Sequence, residues 1–253
     1  MGVSFTRPSG QALIAAGGNP NGGSPLPLRR YSLAGDLQFS YPSSYANGGK
    51  ATGNYLESSD GNSLLLSTSA GFELVNNDGS EVRFIPLRFN AGGCRPIRWW
   101  TPTVVLAACV PNRGVPQLWL VPIDGGTPTQ LTTTNPNINN NGDDGDLDAW
   151  QFPAATYVQI AVGCGALGIA KLVPGQTTPT PITIPQMDNT SSIYIIGSDG
   201  NRLAIIGSYP CAGGPVLAWY DTSNNTTTPL LGGPVNGGSA LSAVLYGEDP
   251  AVP

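Results

Sequence analysis

The feature that most constrains this 253-residue sequence is a turn that keeps coming back. Apolar strand-like runs flank turn landmarks at Asp36, Asp78, Asp124, Pro174 and Asp221, at spacings of 42, 46, 50 and 47 residues. A period of that length built from short strands is the size of one four-stranded module in a stacked array. Each period holds two hairpins. The first runs Tyr55-Leu56-Glu57, then Ser58-Ser59-Asp60-Gly61-Asn62, then Leu64-Leu65-Leu66, and returns as Ile193-Tyr194-Ile195-Ile196 through Ser198-Asp199-Gly200-Asn201 to Leu203-Ala204-Ile205-Ile206. A degenerate copy spans residues 5–14. The second hairpin is richer in aromatic residues, as at residues 72–82 and 118–126, with weaker versions at 31–39, 169–183 and 217–231. Asp-Gly between apolar runs signals a hairpin because these residues tolerate the positive φ angles that tight turns demand.

Five strand quartets follow, at about 3–42, 53–88, 95–133, 148–184 and 192–231, and a last apolar run at 240–246 reads as the first strand of another. The expectation is an all-β chain: one β-propeller domain over residues 1–253, of five or six four-stranded blades. The polar stretch 135–148 reads as a linker between quartets.

The order of strand, Ser-Asp-Gly-Asn, strand, loop, strand, Asp-Gly, strand resembles the TolB-like β-propeller repeat. Residues 55–88 and 192–231 carry the resemblance, and 95–133 carries it in its second half, ending Thr129-Gln130-Leu131-Thr132. Residues 148–184 follow only the hydrophobic pattern, with Pro153-Ala154-Ala155-Thr156 in place of the Asp-Gly turn. The resemblance implies recognition through loops at one end of the blades and along a central channel.

Composition narrows the chemistry. The chain has no histidine, which excludes Ser-His-Asp and Cys-His catalysis, His-ligated zinc and imidazole pH switches. Eleven basic against 16 acidic residues leave a net charge of −5, which removes the electrostatic basis for a nucleic-acid partner. No stretch reaches the roughly 20 apolar residues of a membrane-spanning helix. Met1-Gly2-Val3-Ser4-Phe5 shows no leader pattern. Few lysines, many Thr, Asn, Gly and Pro residues, and four cysteines fit an exported protein, extracellular or periplasmic, tethered to a membrane only through an anchor outside this chain.

Three groups of side chains invite chemistry. Cys94 and Cys109 face each other across one hairpin, while Cys164 and Cys211 occupy equivalent places in adjacent blades. Two structural disulfides are expected, with a metal or redox site and free thiols as the alternatives. Asp144, Asp146 and Asp148 alternate in an acidic run, offering oxygen ligands at the spacing of a calcium loop. Ala149 and Ala155 stand where an EF-hand needs Gly and Glu, so a solvated loop is the alternative. Calcium is the one cofactor these residues suggest. Five tryptophans suggest a sugar platform, but Trp119 and Trp219 both lie in third strands, which points to packing between blades. Carboxylate chemistry survives without histidine, and Glu57 with Asp148 is the candidate pair for a glycosidase-type hydrolase.

The reading these features support together is a non-catalytic binding or sensor propeller that recognises a protein, peptide or glycan. The alternatives are that hydrolase, or the propeller part of a larger peptidase or receptor kinase.

Overall fold

The computed structural model describes residues 2–6, 10–16, 28–41, 55–87, 93–110, 115–133, 145–162, 166–187, 192–208 and 216–232. These residues form twenty strands and no helix, hence no helix long and apolar enough to cross a membrane. The first sheet contains β1 (Gly2–Phe5), β2 (Ala12–Ala16), β3 (Arg29–Ser32) and β4 (Leu37–Ser40). The second contains β5 (Tyr55–Glu57), β6 (Ser63–Ser67), β7 (Gly71–Asn76) and β8 (Glu81–Pro86). The third contains β9 (Cys94–Thr101), β10 (Val104–Cys109), β11 (Gln117–Pro122) and β12 (Thr129–Gln130). The fourth contains β13 (Gly145–Phe152), β14 (Ala155–Ala161), β15 (Leu167–Leu172) and β16 (Thr180–Pro181). The fifth contains β17 (Ser192–Asp199), β18 (Arg202–Ser208), β19 (Val216–Asp221) and β20 (Thr226–Gly232). In every sheet the spatial order follows the chain order, and the pairings are antiparallel. Five such sheets are the blades of a β-propeller. The run at 240–246 lies outside the described residues.

The chain divides into two compact units, Met1–Gly114 with Trp119–Thr129, and Val115–Leu118 with Gln130–Pro253. Within the first unit, the three leucines of β6 show why its apolar runs are continuous. Successive side chains on a strand point to opposite faces. Leu64 and Leu66 enter one core with Ile14, Leu28, Tyr41 and Val75, while Leu65 enters another with Phe72, Leu74, Ile85, Cys94 and Val105. A strand covered on both faces needs no polar alternation. Each buried leucine contributes about 1.5–3 kcal/mol.

In the second unit one core joins Trp150, Phe152, Tyr157 and Ile169 of the fourth sheet to Ile195, Leu203, Ile205, Val216, Ala218 and Tyr220 of the fifth. Gln159 fastens the same two sheets with its amide. Its Nε2 donates to the carbonyls of Gly168 (2.7 Å) and Ile193 (2.9 Å), and its Oε1 accepts from the Ile195 N–H (2.7 Å). Gly79 shows how turn and packing coincide in the first unit. Its φ of 79° suits the Asp78-Gly79 turn, and a Cβ there would lie 2.0 Å from the Phe39 ring.

Candidate functional site

The carboxylates at the hairpin tips are engaged in shaping their own turns. Ser58 Oγ donates to Asp60 Oδ1 (2.6 Å), as does the Asn62 N–H (3.0 Å), and Asn62 Nδ2 donates to Oδ2 (2.9 Å). Ser80 donates to Asp78 Oδ1 through both its hydroxyl (2.6 Å) and its N–H (2.9 Å), and Ser223 does the same for Asp221. Asp side chains that mimic a turn in this way fix the local chain path. The hydroxyl donors, Ser58, Ser80 and Ser223, hold the three carboxyl groups below the usual aspartate range.

Two glutamates are buried instead. Glu57 on β5 is 6% exposed and Glu73 on β7 is 0% exposed. Glu57 pairs with Leu64 and Glu73 with Leu66, so both carboxylates stand on the face that meets Ile14, Leu28 and Tyr41 of the first sheet. They lie two strands and one two-residue step apart, which puts their Cβ atoms roughly 12 Å from each other. Glycosidase carboxylates lie about 5–9.5 Å apart. Burial pushes the Tyr41 phenol up against the opposing pull of Arg30, with Glu57 adding to the rise. The Tyr41 hydroxyl donates to the Asn77 carbonyl (3.4 Å). Glu73 escaped the sequence reading, although an acid two residues before core Val75 on one strand was a legible signal.

Of the three aspartates expected to bind calcium, Asp144 lies outside the described residues. Asp146 and Asp148 belong to β13, not to a loop, so the fourth sheet begins three residues earlier than its predicted quartet. Asp146 pairs with Ile160 and Asp148 with Gln159, leaving Leu147 as a bulge. Ile160 and Gln159 are neighbours on β14, so the bulge turns the two carboxylates to opposite faces of the sheet. Gly145, with φ of 97°, sets the start of the strand, where a Cβ would lie 2.5 Å from the Pro116 carbonyl oxygen. Asp148 Oδ1 accepts the Ala149 N–H (2.7 Å). Among the described residues no three His, Cys, Asp or Glu side chains are grouped to hold a metal.

Cys94 and Cys109 form a disulfide with Cα atoms 4.1 Å apart, while Cys164 and Cys211 lie outside the described residues. Trp99 and Trp119 pack on the core between the second and third sheets, and Trp99 Nε1 donates to the Glu57 carbonyl (2.8 Å). Trp150 is buried in the second unit's core. Trp219 departs from the expected repeat. It lies on the face of β19 opposite core residues Val216, Ala218 and Tyr220, with the Arg202 guanidinium 4.7 Å above its ring. Counting back from the turn explains this. Trp119 precedes Asp124 by five residues and Trp219 precedes Asp221 by two, and an odd difference of three reverses the face.

The first strand stands at the edge of each sheet, and three of the five first strands are bulged. The extra residues are Ile97 and Trp100 on β9, Leu147 on β13 and Ile196 on β17, all half-buried. Bulges re-aim side chains at a sheet edge and interrupt the backbone ladder there. What the bulged residues add to these strands is therefore an apolar contact, aliphatic or indole side chains on an irregular edge, beside the charged Arg95, Arg98 and Asp148 of the same strands.

No protein-family model matches the sequence, and no curated protein matches it. Solved structures do. TolB from Agrobacterium tumefaciens is similar at 17% identity over 87% of this chain and 82% of that one, with a TM-score of 0.50. Oligopeptidase B from Leishmania major is similar at 9% identity over 94% of this chain and 34% of that one, with a TM-score of 0.55. Oligopeptidase B from Trypanosoma brucei gives 12% identity, 90% and 34% coverage, and a TM-score of 0.54. This chain thus spans about a third of the oligopeptidases it resembles. Five sequential four-stranded sheets and this likeness show a β-propeller fold similar to that of TolB.

Proposed function

We propose that this chain is a non-catalytic, exported binding propeller that recognises a protein or peptide partner, with a glycan as the other ligand class, through its first-strand edges and the loops beside them. The observation that carries the reading is the employment of the carboxylates. Asp60, Asp78 and Asp221 bond to their own turns, and Glu57 and Glu73 are buried beneath the first sheet. The half-buried bulge residues supply apolar contact at three of the first strands. The Cys94–Cys109 disulfide supports export, because such bonds persist in oxidising compartments. The likeness to propellers within longer oligopeptidase chains supports a second arrangement, in which this propeller serves a larger protein.

The test is a screen of the purified chain against a displayed peptide library and a glycan array, with Ile196→Asp as the comparison. Selective binding that falls at least tenfold in the variant, with an unchanged far-ultraviolet circular dichroism spectrum, supports the proposal. Turnover of a chromogenic glycoside that disappears in Glu57→Gln would replace it with the hydrolase reading.

A further inference from the structure

We draw no further inference here: the strongest candidate, the half-exposed apolar face of the fifth sheet carried by Tyr194, Ile206, Leu217 and Trp219, carries nothing because nothing in the structure shows what covers it.

Discussion

The second sheet has two faces, and they are held to their neighbours by different chemistry. Toward the first sheet it presents Leu64, Leu66 and Val75 together with the carboxylates of Glu57 and Glu73, opposite Ile14, Leu28 and Tyr41. Toward the third it presents Leu65, Phe72, Leu74 and Ile85 against Val105, Ala107, Val121 and a disulfide. One seam mixes ionisable groups with aliphatics. The other is apolar and packs against a disulfide that ties β9 to β10 within the third sheet. Blade-to-blade packing in this fold therefore asks for shape and volume rather than one composition, and a repeat can drift in sequence while each seam remains filled.

The contrast can be broken where the apolar seam is densest. Leu65→Ala leaves a cavity under Phe72 and Val105, and a loss of about 3 kcal/mol is expected in urea unfolding. Tyr41→Phe in the mixed seam keeps the ring and removes one long hydrogen bond, so its loss should stay below about 1 kcal/mol. Equal losses would show that the two seams do not differ in kind.

Replacing Cys94 and Cys109 together by Ala should cost about 3 kcal/mol, the value for a closed loop of some 15 residues. Thermal melts of the oxidised wild type and the double variant measure it, and coincident melts would mean that the disulfide adds nothing to the packing and strand pairing of the third sheet. A third seam sharpens the comparison. Gln159→Ala strips two hydrogen bonds between the fourth and fifth sheets and one to Gly168 within the fourth, and leaves the Ile195 N–H buried without its acceptor, for an expected loss of about 2 kcal/mol. Amide hydrogen exchange should locate that loss at β15 and β17.

The smallest effect belongs to the turns. Asp60 has a folded pKa below its unfolded value, so its contribution is present above about pH 4 and is lost as the pH falls through the folded value. Asp60→Asn should flatten the acid limb of the stability curve slightly and leave stability at pH 7 within about 1 kcal/mol, because the group is largely exposed. An unchanged acid limb would remove Asp60 from the account of that turn.

The period, the strand quartets and the hairpin turns were legible in the sequence because short apolar runs and Asp-Gly turns are local signals. Bulges were not, since one inserted residue leaves no mark in composition. They decide three outcomes here. The third sheet turns at residues 102 and 103, and an unbroken register from there would set Cys94 opposite residue 111. The two extra residues, Ile97 and Trp100, bring it back to Cys109, so the expected disulfide forms through a register different from the simple one. Leu147 separates Asp146 from Asp148 and undoes the alternation that suggested a shared cation. Ile196 redirects the edge of the fifth sheet. The site is harder to read than the fold because it depends on these single-residue insertions.

Strand order within the sheets has a kinetic consequence. Among the described residues every ladder joins strands that are neighbours along the chain. Loop closure is therefore short at every pairing step, and contacts of low sequence separation form fastest. A chain emerging from the ribosome at about 5–20 residues per second releases the roughly 40 residues of one sheet every few seconds. Each sheet can thus be completed before the next has been synthesised, and its apolar faces wait only for the neighbour that follows.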